Sequence, residues 1–411
     1  PPPRPPPPPP PPPPSFLSPH PPQPSLLSCL VGSEMCIRDR DNYDWDTRCS
    51  IVKTESGWKE ENWKQFAELG LLGVPFDEAY GGLGGQATDV MIVMEQFGKG
   101  LVVEPYMSSI ILAGGLISKL GSDKQKDTII PEIISGNQRY VFAYAEPQSR
   151  FDLFDVKCSA TLDGDNYIIN GFKSVVFGAG MATHLIISAR TEGDQRSKSG
   201  ITLFLVDIKS DGITLQNYPT IDEYRASEVV IENLSVSKEN ILGELGNSYE
   251  AIEEQVDLST IAICSEAVGI LQVLKDSTND YCKNRKQFGQ PISANQAIQH
   301  RLVDMMIEYE QAKSILYMAI TADLSNPDER RKAASAAKAR IGKAIKFVGE
   351  NAIQLHGGMG VVDEYMISHF FKRATMIGIL FGNVDFHMKR YTDLTQSNIQ
   401  SINEDDGINL S

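Results

Sequence analysis

The chain has 411 residues, with 38 Lys or Arg against 53 Asp or Glu, and therefore a formal net charge of −15 at pH 7. This acidic balance argues against nucleic acid or an anionic membrane as a partner, and no run approaches the ~20 apolar residues of a membrane helix. The 6 Cys are scattered without metal-ligand spacing. We therefore expect no metal site, a reducing compartment and a cytoplasmic protein.

The first 40 residues do not resemble a folded domain. Residues 1–14 are proline interrupted only by Arg4, a composition typical of extended chain. The following apolar patch lacks the basic region that opens a secretory signal. We interpret residues 1–40 as non-native sequence, of the kind translated from a sequencing adapter, or otherwise disordered. The alternative is a proline-rich arm that binds a partner.

Residues 41–138 are predicted to form a helical domain. Trp58, Trp63, Phe66 and Leu69 recur at helical spacing, and further helical patterns cover residues 89–98 and 108–120. A turn-rich loop separates the first pattern from the others at Tyr80–Gly85.

From residue 139 the hydrophobic period becomes that of strands. Short runs rich in β-branched residues cover residues 140–145, 160–162, 167–170, 185–189, 202–206 and 229–231. Turn clusters such as Asp163-Gly-Asp-Asn166 separate them. They predict a compact β-barrel or sandwich over residues 139–247.

Helical patterns return over residues 248–396 and are followed by a polar tail, residues 397–411, which we expect to be flexible. Helices and strands in separate blocks predict an α+β fold with three domains.

Two of the C-terminal helical patterns meet at residues 281–296. Lys283, Arg285 and Lys286 suit a helix C-terminus, with Gly289 as its C-cap, and Ser293 with Gln296 suggests a capping box. Cations beside capped backbone N–H groups are suited to holding a diphosphate. The alternative is an ordinary helical hairpin with solvated cations.

Two motifs in this region resemble signatures of the acyl-CoA dehydrogenase family. They are Arg285-Lys-Gln-Phe-Gly289 followed by Gln296, and Gln354-Leu-His-Gly-Gly-Met-Gly360. The resemblance extends from about residue 58 to about residue 390. It implies an N-terminal helical domain, a middle β-barrel, a C-terminal four-helix-type bundle and bound FAD. In that family the Arg and Gln residues reach a neighbouring subunit's flavin, which implies a dimer or tetramer, homomeric or heteromeric.

The resemblance also implies a set of flavin-binding residues. The strand and loop from Phe142 to Phe151 match the family's flavin-contacting segment, and Val175-Val-Phe177 stands where the family often has a Trp and a hydroxyl residue. The cofactor-binding residues implied are Phe142, Tyr144, Ala145, Phe151, Val175, Phe177, Arg285, Gln287, Phe288, Gln296, Gln354, Gly357, Gly358 and Asn383.

The catalytic base is the feature in which the sequence departs from the family. Dehydrogenation requires a carboxylate near the α-carbon of the thioester, while the flavin takes the β-hydride. Phe381 and Ser259 occupy the two positions where the resemblance places that Glu. Asp385, one helical turn after Phe381, is the candidate base, and Asp257 is another.

The function that the resemblance implies is FAD-dependent dehydrogenation of an acyl-CoA to the trans-2-enoyl-CoA. Electron-transferring flavoprotein is the usual acceptor, and oxygen is the alternative. Residues 299–305 and 381–390 resemble subunits of heteromeric dehydrogenases acting on steroid side chains and dicarboxylic acids. One alternative is therefore a catalytically silent subunit that completes a partner's FAD site. Another is a flavin-free scaffold that binds acyl-CoA.

Overall fold

The computed structural model describes residues 43–405, with side chains described for residues 43–396. Residues 1–42, which include the predicted head, and residues 406–411 lie outside the described residues. In the described part, helices, then strands, then helices follow one another along the chain, which confirms the predicted three-part α+β fold.

The N-terminal part is helical. Its helices are α1 (Trp45–Val52), α2 (Glu60–Glu68), α3 (Ala87–Gly100), α4 (Gly114–Leu120) and α5 (Asp123–Ile134), and a π-helix (Tyr106–Ala113) runs directly into α4. Helix α5 was not predicted, because its buried apolar residues lie in its second half and a proline, Pro131, interrupts the pattern. A Ser122–Gln125 capping box starts this helix.

The middle part contains eight strands. They are β1 (Tyr140–Ala143), β2 (Ser159–Asp163), β3 (Asn166–Phe177), β4 (His184–Arg190), β5 (Ile201–Asp207), β6 (Ile213–Pro219), β7 (Arg225–Ser237) and β8 (Ile241–Leu242). Strand β6 was not predicted, since it is an edge strand whose side chains are exposed or only half-buried.

The strands form one sheet in the order β6-β7-β3-β2-β4-β5-β8. Strand β1 pairs in parallel with β4 from Tyr140↔His184 to Ala143↔Ile187. Strand β2 meets β4 at only one pair, Ser159↔Arg190. Strand β1 therefore occupies the edge of β4 beyond that single pair. Along this edge β4 separates from the group formed by strands β2, β3, β7 and β6.

The C-terminal part is a helical bundle. Its helices are α6 (Tyr249–Asn284), α7 (Gln296–Thr321), α8 (Pro327–His356), α9 (Met366–Ile379) and α10 (Val384–Asp405). Helix α10 continues into the segment predicted to be a flexible tail. Helix α6 is long and apolar enough to cross a membrane, but 83% of its apolar window is buried inside the fold, as in the core helix of a folded domain.

The connection between α6 and α7 differs from the predicted caps. Helix α6 ends at Asn284, and Lys286–Gln287 pairs with Gln290–Pro291 as a small β-hairpin. Phe288 and Gly289 form its tip with φ of 53° and 82°, as a type I′ turn requires. The predicted Ser293 capping box is wrong, because Asn295 precedes α7 and no side chain caps that helix.

Two apolar cores hold these parts together. One joins the N-terminal helices to the sheet, and the other joins α6–α9 to Met91 and Leu101 of the N-terminal part. The side chain of Phe381 packs against both cores. The three parts therefore meet around the loop between α9 and α10.

Candidate functional site

A cavity of about 1040 Å³ lies at this meeting point. Residues 103–112 of the N-terminal part, residues 141–154 and 174–178 of the β domain, and residues of α6, α9 and α10 contribute its walls. All three parts of the chain are therefore needed to form it.

Six of the predicted flavin-binding residues line this cavity, and all six come from the β domain. They are Phe142, Tyr144, Ala145, Phe151, Val175 and Phe177. The Phe142 and Tyr144 rings stack with centroids 5.1 Å apart. Across the cavity wall, the Phe151 ring lies 5.3 Å from that of Phe386 in α10.

A β-bulge brings two segments of this wall together. The pairing of β3 with β7 shifts register between Lys173 and Val176, and Val175 adopts φ of 52°. The Ser174 N–H then donates to the Ala145 carbonyl at 2.9 Å. The bulge thus fixes the loop after β1 against the end of β3.

A buried ion pair anchors the same loop from beneath. The Lys173 ammonium donates to Glu146 Oε1 at 2.7 Å and to Ser188 Oγ at 3.0 Å. The backbone N–H groups of Lys157 and Cys158 also donate to the Glu146 carboxylate, at 2.8 and 3.1 Å. Although burial opposes the charge, Lys173 and these donors hold the pKa of Glu146 below its usual value.

Phe381 lines the cavity on the loop between α9 and α10, with φ of 58°. Two buried side chains hold this loop: Lys338 donates to the Gly382 carbonyl at 2.7 Å, and His387 Nε2 donates to the Phe381 carbonyl at 3.0 Å. Burial lowers the pKa of Lys338 to about 8, and burial with nearby Lys338 lowers the pKa of His387 to about 3.

Gly382 cannot be replaced without disturbing this loop. It has φ of 117°, and a Cβ there would lie 2.5 Å from Phe386 and 2.6 Å from the His387 ring.

The structure does not bring the candidate base Asp385 to the cavity. Its side chain is exposed, and it is not among the lining residues. Ser259 is buried and is also not among the lining residues. Asp257 does line it, but Arg390 Nη2 donates to its Oδ2 at 3.0 Å. Burial outweighs this pairing and raises the pKa of Asp257.

A second group of predicted residues lies on the surface, away from the cavity lining. It comprises Arg285, Gln287, Phe288, Gln296, Gln354, Gly357 and Gly358, all of them exposed. The Tyr281 ring stacks on His356 with centroids 4.3 Å apart, which places the end of α6 beside the glycine motif at the end of α8.

Two features of this surface are notable. The Phe288 side chain is fully exposed, at 101%. Gly357 has φ of 60° and ψ of −137°, and an added Cβ at Gly357 or Gly358 would meet nothing within 4 Å. The backbone is therefore accessible there, as contact with a ligand or another chain requires.

Asn383 belongs to neither group. It is half-buried, lies outside the cavity lining, and its Oδ1 accepts from the Phe386 N–H at 2.9 Å. That hydrogen bond caps the start of α10, so the structure gives Asn383 a role in holding the helix.

Three non-glycine residues with positive φ line the cavity: Arg150 (48°), Val175 (52°) and Phe381 (58°). Such conformations are uncommon outside glycine and cluster at functional sites.

Sequence reasoning missed several buried polar residues at the cavity. Glu104 and Arg373 line it, and Lys338 and His387 hold its loop. A charge isolated in the apolar run Leu101-Val-Val-Glu-Pro105 was the signal that could have identified Glu104.

The chain matches three family profiles in order. Residues 45–137 match "Acyl-CoA dehydrogenase, N-terminal domain", residues 141–234 match the middle domain, and residues 249–392 match the C-terminal domain. The matched ranges coincide with the helical, strand and helical parts of the structure.

The similar proteins include two that are named as reductases and one that is named as a dehydrogenase. The 3-(aryl)acrylate reductase of Clostridium sporogenes is 31% identical over 78% of this chain and 85% of its own length. The subunit CarC of the caffeyl-CoA reductase-Etf complex of Acetobacterium woodii is 30% identical over 80% and 88%. The short-chain specific acyl-CoA dehydrogenase of Homo sapiens is 30% identical over 78% of each chain.

Solved structures share the fold. A variant of the steroid ACAD Tcur3481-Tcur3483 superposes with a TM-score of 0.80 at 27% identity, covering 91% of this chain and 98% of that chain. The acyl-CoA dehydrogenase of Geobacillus kaustophilus gives a TM-score of 0.83 at 22% identity, covering 90% and 98%, which supports the fold alone.

Proposed function

Because the chain belongs to the acyl-CoA dehydrogenase family, we propose that it binds FAD and acts on the α,β carbon pair of an acyl-CoA thioester. One observation carries this proposal. The β-domain wall that carries the predicted flavin-binding residues and the α9–α10 loop, where the family places its base, face one shared cavity of about 1040 Å³. Pockets for one drug-sized ligand measure about 300–1,000 Å³, so this volume suits a flavin ring beside an acyl chain.

The residues of this wall fit a flavin. Tyr144 and Phe177 offer aromatic faces, and the bulge at Val175 leaves a segment of backbone irregular beside the cavity. Such backbone can hydrogen-bond a ring edge whatever the side chains are. Phe177 packs but cannot donate a hydrogen bond, so ring contact at that position is apolar.

The flavin, when bound, supplies hydride acceptance from the β-carbon. The chain's own residues must bind the thioester, exclude water and accept the α-proton. Phe381 fills the base position with an aromatic ring, and within residues 43–396 Asp257 is the buried carboxylate on α6 that lines the cavity. Asp257 is therefore the proton acceptor that this geometry favours over Asp385.

The α9–α10 loop, which carries Phe381, also supports a second candidate function. A phenylalanine held rigidly at the base position suits a catalytically silent subunit that completes the FAD site of a partner chain. The exposed hairpin at Arg285 and the open glycines at the end of α8 favour contact with another chain. We infer a dimer or tetramer, homomeric or heteromeric.

The family and the composition support proposals for the redox partner and the compartment. We infer electron-transferring flavoprotein as the redox partner, since a similar protein is a subunit of a reductase-Etf complex. The cytoplasm remains the expected compartment.

The visible spectrum of the purified chain tests the proposal. Bound flavin makes the protein yellow, and anaerobic addition of a suitable acyl-CoA bleaches it. Phe177→Ala should lower the flavin content, whereas Phe172→Ala, on the same strand but outside the cavity lining, should not. A colourless folded protein would overturn the proposal. A yellow protein that bleaches only after mixing with a Glu-carrying family member would establish the silent-subunit alternative.

A further inference from the structure

Met107 is the point at which the N-terminal part of the chain presents accessible surface to the cavity. It lies in the π-helix Tyr106–Ala113. Every residue from 101 to 114 is buried except Met107, which is half-buried and lines the cavity. The accessible surface of this side chain therefore faces the cavity, and a ligand in the cavity can touch it.

The same side chain lies at the junction of the two apolar cores. Among the residues that the structure describes, Met107 and Phe381 are the half-buried apolar side chains that pack against both cores. Both also line the cavity. Met107 comes from the N-terminal part and Phe381 from the C-terminal bundle, so the two side chains border the cavity from different parts of the chain.

The wall around Met107 is closed and mainly apolar. The lining residues nearest to it along the chain are Val103, Glu104, Pro105, Ser108 and Leu112. All of them are buried. The Ser108 hydroxyl donates to the Pro105 carbonyl at 3.3 Å. The Glu104 carboxylate accepts from the Asn62 amide at 2.8 Å. The polar groups of this wall are thus engaged within the protein, and an apolar ligand group suits it.

The hydrophilic CoA moiety requires a different part of the lining. Lys198 in the loop between β4 and β5, and Lys389 and Asp393 in α10, line the cavity and are exposed. A group with several phosphates stays hydrated beside such residues, whereas burial against the apolar π-helix would remove its water without replacing it. The acyl chain is therefore the part of the thioester that reaches Met107.

Resting on the proposed function, we propose that Met107 sets the length of the acyl chain that the cavity accepts. The acyl chain extends from its reacting carbons beside the α9–α10 loop and ends against the Met107 side chain. Methionine is unbranched and flexible, so it can fill the space that a shorter chain leaves. A longer chain has to push Met107 into two packed cores, which tolerate little added volume.

Alkyl-CoA thioethers of increasing length, from butyl- to tetradecyl-CoA, test the proposal by calorimetric binding to the purified full chain. They lack the carbonyl group, so binding is measured without dehydrogenation. In the wild type we expect the affinity to rise about 4-fold with each added methylene and to fall once the chain reaches Met107. The length of highest affinity is then compared among variants.

Two substitutions at Met107 should move that length in opposite directions. Met107→Ala removes most of the side chain and should raise the length of highest affinity by about two to three methylene groups. Met107→Phe introduces a larger and stiffer side chain and should lower it. Ile111→Ala is the matched control, because Ile111 lies in the same π-helix, is buried and is not among the lining residues. It should reduce stability and leave the preferred length unchanged.

Three results would contradict the proposal in distinguishable ways. If the affinity of the wild type keeps rising to the longest probe, Met107 does not end the acyl site, and the inference fails while the proposed function stands. A preferred length that is the same in both Met107 variants assigns the limit to other residues. If none of the probes binds, binding of acyl-CoA itself fails, and the proposed function and the inference fail together.

Discussion

Replacing Lys173 by Met should destabilise the chain strongly, because it strands a buried carboxylate. Lys173 and Glu146 have side chains 0% and 2% exposed and are joined at 2.7 Å. Removing one partner of a buried ion pair typically costs 3–5 kcal/mol. Glu146 would keep three donors, from Gln148 and two backbone N–H groups. We therefore expect the lower end, about 3 kcal/mol at pH 7.

The double variant Lys173→Met/Glu146→Gln is the matched control. It removes the charge together with its partner and should recover at least about half of the loss. The loss of unfolding free energy in the single variant should also become smaller as the pH falls towards the ordinary Glu pKa of about 4.3. Without Lys173 the folded state prefers the protonated carboxyl, so the variant's stability falls as the pH rises through that range.

Urea unfolding at a fixed chain concentration measures both effects, with flavin content as a second readout because Glu146 anchors the cavity loop. A loss below about 1 kcal/mol in the single variant would refute the assigned energetics. A double variant no more stable than the single one would show that the stranded charge is not the cause.

Three further outcomes are expected. Asp257→Asn should lower the rate of flavin reduction by acyl-CoA about 10²- to 10⁴-fold, the usual contribution of a positioned base, whereas Asp385→Asn should leave that rate unchanged because its side chain is exposed; the reverse ranking in stopped-flow assays would contradict the site assignment. Arg285→Ala should lower the flavin content of the purified oligomer without changing its circular dichroism, and full retention would show that the hairpin does not contact flavin. The hydrogen bond with His369 is the main cause, together with Arg48, that lowers the pKa of Glu223 to about 2. The ionised Glu223 therefore stabilises the fold above its unfolded pKa and loses that effect as the pH falls towards 2. An acid-unfolding curve unchanged by Glu223→Gln would contradict this.

The order of the three parts was predictable from sequence because the period of the hydrophobic pattern and the composition change sharply at their boundaries. Short motifs at fixed spacing predicted Phe142, Tyr144 and Val175 as flavin-binding residues, and the structure places all three in the cavity wall; their contact with a flavin stays a prediction. Edge strand β6 was missed because its pattern reflects exposure rather than burial. Helix α5 was missed because half of it lies in solvent.

The position of the polar groups could not be predicted in the same way. Asp385 and Phe381 are four residues apart, yet the left-handed loop at Phe381 and Gly382 breaks the helix between them. The shared helical face assumed from spacing therefore does not exist. The charge of Glu104 stands out in its apolar run, but its position at the cavity depends on a long-range contact between domains that this local pattern does not encode.

The left-handed residues at Arg150, Val175 and Phe381 have a consequence for how this cavity can change over generations. Each strained conformation costs about 1–3 kcal/mol, against a total folding stability of about 5–15 kcal/mol. The strain at these three residues therefore removes a large part of the folding free energy that would otherwise absorb destabilising mutations. A lineage that reshapes this pocket would first need to accumulate stabilising substitutions elsewhere, or to convert one of these positions to glycine and lose its side chain from the wall. Selection on stability and selection on substrate choice would thus act against each other at the same three residues.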